Sequence, residues 1–424
     1  MIRSLHTGVS GLKSNQVRMD VTGNNIANVN TIAFKRNRAA FNEVLGQQLL
    51  GVGRTAGGTG INPSSVGLGV SVGSIDQNWT QGALENTGVS TDLALSGDGF
   101  FIAKAGDRTL LTRAGNFTFN RSGELVTANG LNVQGWAFDD DGKLVTGALR
   151  NIAIDPNVTA PATATDEVFI GGNLSADMAV GDTTSVSTVV YDGRGKAHNI
   201  VVEMTKMHSI GEGGHDTDGW RARILMDDVD TGETLDLEFG AGGQLVSINN
   251  VDVEGGDYSF GFDVDLDGDG STETMTLFFG DGEKSFITQH AGSTTTTVRE
   301  QNGQPAGSMV GYSINPEGVL ELNFSNGEQQ KLFQIALGDV NNPNGLEQVG
   351  ENFYQLTSAS GDLQMARAGR DLATSVVAGT LEMSNVDLAT EFTEMIVTQR
   401  GYQAAARIIT TSDEMLHETV QLKR

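Results

Sequence analysis

The sequence of 424 residues predicts a mainly β fold with α-helical termini: N- and C-terminal helices paired in a coiled-coil-like bundle, a split all-β domain, and an inserted all-β outer domain. Three observations carry this expectation. Heptad apolar spacing is confined to the two ends of the chain. Between them, short apolar runs alternate with Asn-Gly, Asp-Gly and Gly-Asp turn signals about every 8 to 12 residues, the pattern of antiparallel strands. The composition, with 56 glycines and 38% hydrophobic residues, favours turns and strands over long helices.

In chain order, residues 1–28 open with Leu5, Val9, Leu12, Gln16, Met19 and Ile26, which advance by steps of four and three before a final step of seven, an amphipathic helix with one polar interruption. A second row of small or polar residues, Ser4, Gly8, Gly11, Asn15 and Thr22, runs beside it. Each mid-helix glycine costs about 0.5–1 kcal/mol relative to alanine, which implies close approach of another backbone. The helix closes on "GNNIANVN", where Asn28 and Asn30 suit a cap or turn and Asn24 and Asn25 suit bridges to a neighbouring helix.

Residues 29–75 read as an extended arm, because "GVGRTAGGTGINPSSVGLGVSVGSI" has no helical period. Strand alternation then fills 76–154, as in "LALSGDGFFIAKAGDRTLLTRAGNFTFN". A shift at "DPNVTAPATATDE" opens a second β-rich region, 155–298, and "GSTTTTVREQNGQPAG" marks the return to the first pattern over 299–384. The last helix, expected near 385–422, carries Leu388, Met395, Tyr402, Ile409 and Leu416 at intervals of seven, with Phe392, Gln399, Ala406, Asp413 and Val420 as companion row. Ser384 with Asp387 has the form of a capping box. A two-stranded seam on these rows buries Gln399 and Asp413, so packing of several helices is expected. Neither terminal helix is self-sufficient in water, and order from partners is expected.

Charge excludes some functions. The net charge of −26 opposes binding to nucleic acid or anionic membrane. It is unevenly placed: residues 1–40 hold six basic residues against one acid, and 381–424 hold seven acids against four basic residues, so the ends attract one another. With no cysteine there is no disulfide, thiolate nucleophile or Cys-based zinc site. No apolar run approaches the roughly 18 residues of a transmembrane helix, and the N-terminus lacks the apolar region of a cleaved signal peptide.

Two local motifs suggest chemistry. "DVDLDGDGSTET" opens like a calcium loop, with Asp263, Asp265, Asp267 and Asp269 as ligands, yet Thr274 occupies the position of the bidentate glutamate. An acidic hairpin face is the competing explanation; weak calcium binding is the alternative, and no other cofactor is expected. "GVSVG" around Ser71 matches a nucleophile elbow but lacks the required strand and helix context. The chain is not expected to be an enzyme.

Taken together, "SGLKSNQVRMDVTGNNIANVNTIAFKRNRAAFNEVL", "TDLALSGDGFFI", "TRAGNFTFNRSGELV" and "LEMSNVDLATEFTEMIVTQRGYQAAARIITTSDEML" resemble the bacterial flagellar basal-body rod and hook axial proteins, and among these the hook members. The blocks cover about half the chain, in order; 155–298 carries little of the resemblance. The resemblance implies a structural subunit that leaves by flagellar type III export without a cleaved signal and polymerises outside the cell. The polymer is a flexible curved tube, a universal joint that passes motor torque from rod to filament. It implies as partners further copies of the chain, the rod, the hook cap and hook–filament junction proteins, and the export apparatus. It also implies an inner tube of paired helices, whose assembly interface comprises Leu5, Val9, Leu12, Met19, Asn24, Asn25, Ile26, Leu388, Phe392, Met395, Tyr402, Ile409, Leu416 and Val420. Ile32-Ala33 departs from the family, where glycine commonly precedes the phenylalanine, and puts in doubt a turn that needs positive φ. A rod-like axial protein and, from another class, a calcium-dependent adhesin are the alternatives.

Overall fold

The structure, a computed structural model, describes residues 2–44, 46–50, 53–54, 60–61, 64–139, 142–210, 216–253, 258–264, 273–280 and 286–421. The chain divides into two compact units, one of Met1–Asp155, Tyr312–Leu322 and Gln330–Arg424, the other of Pro156–Gly311 and Asn323–Gln329.

The first unit contains both helices, α1 (Ile2–Ala27) and α2 (Leu388–Gln421). Its sheet is built from sequence on both sides of the second unit. Strand Phe100–Ala105 lies between Arg108–Thr112 and Asn132–Ala137, and the latter pairs with the returning strand Gln329–Ile335 through Gly135 and Ile335. Later residues complete the N-terminal strands: Ser375–Ala378 pairs with Leu93–Ser96, and Thr380–Glu382 with Leu84–Asn86. Phe100, Ile102, Leu111, Trp136, Ala336, Val340 and Tyr354 form a core, against which Trp79 packs edge-on, its ring 5.2 Å from Phe100 and 5.0 Å from Tyr354.

The segment read as an extended arm doubles back on itself. Asn37–Glu43 pairs antiparallel with Val70–Gln77 across a bulge at Ala40/Phe41, Gln47–Leu50 with Ser64–Val66, and Gly53–Arg54 with Gly60–Ile61. Glycine-rich composition conceals the ladder, yet Val66, Val70, Val72 and Ile75 supply enough β-branched residues to sustain it.

The second unit carries an antiparallel meander of Thr183–Tyr191, Ala197–Ile210, Asp216–Met226, Val229–Phe239, Leu245–Ile248 and Val251–Asp252. Two of its turns, Asp227-Asp228 and Asn249-Asn250, hold both residues at positive φ, as tight hairpins between right-twisted strands require. A second sheet centres on Glu167–Ser175, which pairs parallel with Glu273–Phe278 and Ile287–His290 and antiparallel with Thr297–Gln301. That last pairing carries the unit past residue 298. The two sheets share one apolar core that includes Val168, Ile170, Val202, Trp220, Leu237 and Met275.

Candidate assembly interface

Local hydrogen bonds close the end of each helix nearest the β structure. Asp387, not Ser384, caps α2: its Oδ1 accepts from Ala389 N at 3.0 Å and its Oδ2 from the Thr390 hydroxyl at 2.6 Å. These bonds hold its carboxyl below the usual aspartate range. The Ser384 hydroxyl instead accepts from Val386 N. At the end of α1, Asn28 donates its side-chain amide to Asn24 O at 2.9 Å, and the Thr31 hydroxyl donates to Asn28 Oδ1, closing the turn.

The helices pack antiparallel on small and polar residues. The Ser4 and Ser412 hydroxyls lie 3.3 Å apart, Arg18 reaches Glu394 at 3.7 Å, and Asn25 Nδ2 donates to Glu391 Oε2 at 3.2 Å. Between these contacts the backbones approach closely. A methyl on Gly8 meets Ile409 Cγ1 at 3.1 Å, one on Gly11 meets Ala405 Cβ at 3.7 Å, and one on Gly401 meets Asn15 Oδ1 at 3.1 Å. The small row Ser4, Gly8, Gly11, Asn15 and Thr22 therefore forms the α1 side of the seam.

On α2 the residues buried in the seam are Glu391, Thr398, Ala405 and Ser412, again spaced by seven. Met395, Tyr402, Ile409 and Leu416 flank them half-buried. The expected companion row is one residue out of place: Phe392, Gln399, Asp413 and Val420 are exposed and Ala406 half-buried, so the amide and carboxylate stay in water. Apolar side chains are left outside, with Leu388 39%, Phe392 52%, Ile396 58%, Val397 55% and Val420 67% exposed. On α1, Leu5, Val9, Leu12, Met19 and Ile26 are half-buried and Asn24 is exposed.

Asn25 ties the seam to the β structure. Fully buried, it donates to Asn37 O at 2.8 Å and accepts from Asn37 N at 2.9 Å, in the manner of a strand partner. Arg36 continues the tie, pairing through Nε with Glu391 and through Nη2 with Glu394 at 3.1 Å, while its N–H donates to Asn385 Oδ1. Partial burial works against the Arg36 charge, but these carboxylates outweigh it and raise the guanidinium above its ordinary range.

Beneath lies a cluster of three buried charges that sequence reasoning missed. Lys35 Nζ is 2.6 Å from Glu382 Oε1 and 2.9 Å from Thr80 O, Gly82 N donates to the same carboxylate oxygen, and Arg113 Nη1 lies 3.5 Å from Glu382 Oε2. Arg113 also donates to Gly97 O and stacks on Phe100. Burial pushes both cations down from their ordinary pKa ranges, with Glu382 opposing the shift. Ala33, at φ 58°, donates its N–H to Glu382 O at 2.8 Å, so the turn is made with alanine in the left-handed region.

Of the suggested calcium ligands, Asp265, Asp267 and Asp269 lie outside the described residues. Asp263 sits on strand Ser259–Val264, where its carboxylate accepts from the Thr274 hydroxyl at 2.7 Å. Among the described residues no cluster of three or more His, Asp or Glu side chains is placed to hold a metal, and no helix is long and apolar enough to cross a membrane. Ser71 lies exposed on strand Val70–Gln77, not at a strand-to-helix turn.

Terminal helices joined through a split β unit define a flagellar axial protein, and comparison with known families agrees. Residues 5–35 match "Flagella basal body rod protein", 94–173 "Flagellar hook protein FlgE/F/G D1 domain", 161–304 "Flagellar basal body protein FlaE D2 domain" and 377–422 "Flagellar basal body rod FlgEFG protein C-terminal". The flagellar hook protein FlgE of Borreliella burgdorferi is 38% identical, and that of Treponema pallidum 36%, each over the whole of both chains. The Salmonella typhimurium hook protein is 31% identical over 99% of this chain and all of its own. The crystal structure of Helicobacter pylori flagellar hook protein FlgE2 shares the fold, with a TM-score of 0.50 and 14% identity over 70% of this chain and all of the other. The chain belongs to the FlgE family of flagellar hook proteins. It is a non-enzymatic structural subunit of the hook, part of the flagellum, and self-assembly follows from that membership.

Proposed function

We propose that the subunit builds a flexible curved tube that serves as a universal joint, passing motor torque from rod to filament. In this reading residues 1–28 with 385–424 line the inner tube, 29–75 form the connecting arm, 76–154 with 299–384 a middle shell, and 155–298 the outer surface. The rod, hook cap and hook–filament junction proteins are its neighbours along the axis, and the type III apparatus exports it. Leu5, Val9, Leu12, Met19, Ile26, Leu388, Phe392, Met395, Tyr402, Ile409, Leu416 and Val420 serve assembly, with Asn24 and Asn25 at the inner junction.

One observation carries this reading: α2 pairs with α1 through small and polar residues and leaves Phe392, Ile396 and Val397 in water. Burying such a side chain stabilises by about 1.5–3 kcal/mol, so neighbouring copies that cover this row gain what the isolated chain forgoes. Electron microscopy of the purified protein is expected to show curved tubes, and Phe392→Asp is expected to remain monomeric with an unchanged melting profile. Straight rigid tubes speak for a rod-like subunit; tubes unaffected by Phe392→Asp remove the apolar row from the interface.

A further inference from the structure

The outer faces of the two helices carry a matched set of charges. Lys13 lies two residues beyond the seam residue Gly11, and Glu414 two residues beyond Ser412, so each points about 200° round its helix, away from the seam. Asp20 follows Lys13 by seven residues and Arg407 precedes Glu414 by seven, which places each pair on one line along its helix. All four side chains are exposed. Among the described residues none of the four side chains has an ion-pair partner within the chain, whereas Arg18 and Arg36 are both engaged with carboxylates of α2. The ribbon packs on α1 at Ser10, whose hydroxyl accepts from Val70 N at 3.3 Å, and leaves the Lys13–Asp20 line open.

From this we infer that a second copy docks the outer face of its α2 on the outer face of α1, antiparallel, with Lys13 on Glu414 and Asp20 on Arg407. The equal spacing means that one register satisfies both pairs, and a shift of one heptad in either direction breaks at least one. The register differs from that within the chain, where Ser4 faces Ser412: the neighbour is displaced by about 16 Å along the helix axis. The contact is heterologous, one face of α1 against a different face of α2, so it propagates from copy to copy instead of closing a two-fold dimer. Exposed pairs add little affinity each; their effect is to select register and to steer encounter.

This inference rests on the self-assembly reading, and a charge exchange tests it separately. Lys13→Glu and Glu414→Lys are each expected to raise the critical concentration for tube formation at low salt by about two- to fivefold. The double variant is expected to recover the unmodified value, and about 0.5 M salt to erase the differences. Circular dichroism melting of each monomer checks that folding is unchanged. If either single variant assembles as the unmodified chain does, or the double variant is no better than the singles, the register is wrong. If the unmodified chain forms no tubes at all, the self-assembly reading falls instead.

Discussion

The helix pair and the second unit bury their surfaces with opposite chemistry. In the second unit large apolar side chains from two sheets, Trp220, Met204, Leu237 and Phe279 among them, are removed from water almost completely. Where α1 meets α2 the buried positions are Ser, Thr, Ala, Glu and Asn, the glycines bring the backbones close, and Leu388, Phe392, Ile396, Val397 and Val420 of α2 face outward. Hydrophobic burial scales with apolar area removed from water, so the second unit holds enough to stand alone while the seam gains chiefly from contact and hydrogen bonds. The difference teaches where each region keeps its apolar surface: one closes it inside itself, the other leaves Phe392, Ile396 and Val397 in water, the surface that the proposed assembly covers.

The largest expected effect breaks the closed region alone. Trp220→Ala removes a fully buried indole from the second unit and is expected to cost about 3–5 kcal/mol there. Calorimetry is expected to show an earlier transition for that unit while the helical signal of the termini melts as before. Simultaneous loss of the helical signal would mean that the two regions do not fold independently.

The next effect concerns the charges beneath the helix junction, where burial is costly for an ion without a partner. Two buried cations, Lys35 and Arg113, face one buried carboxylate, Glu382, and the exposed Asp98 carboxylate also acts on both. Glu382→Gln leaves two buried cations facing a neutral amide, with an expected loss of about 3–5 kcal/mol from the first unit. Lys35→Met leaves a neutral Arg113–Glu382 pair and forfeits the bond to Thr80 O, so about 1–2 kcal/mol is expected. The order of the two melting temperatures is the check: if Lys35→Met is the more damaging, the cluster is not governed by charge balance.

These contrasts also separate what the sequence discloses from what it conceals. The heptads of both ends were legible because helical periodicity is a property of short windows, and the small row of α1 was legible because glycine inside a helix needs a reason. The positions of α2 buried against α1, Glu391, Thr398, Ala405 and Ser412, are hidden from a search for apolar spacing because three of the four are polar. The ribbon of the arm was hidden by glycine, serine and threonine, which sustain a ladder without announcing one. Lys35, Arg113 and Glu382 were passed over because charged residues read as surface until the fold shows them surrounded. Asn25 is half legible: the sequence suggests a bridge to a neighbouring helix, but its mimicry of a strand partner to Asn37 depends on a chain reversal that no local pattern encodes.

The smallest expected effect tests the turn that joins α1 to the β structure of the first unit. Ala33 is buried with φ at 58°, where its Cβ crowds the backbone at a cost of about 1–2 kcal/mol. Glycine removes that strain but gives back about 0.5–1 kcal/mol through the greater freedom of the unfolded chain. Ala33→Gly is therefore expected to stabilise the first unit by up to about 1 kcal/mol, read as a rise of a few degrees in its melting temperature, with the second unit unmoved. A fall would show that the buried methyl contributes more than the strain removes, and that this chain has repacked the turn around alanine.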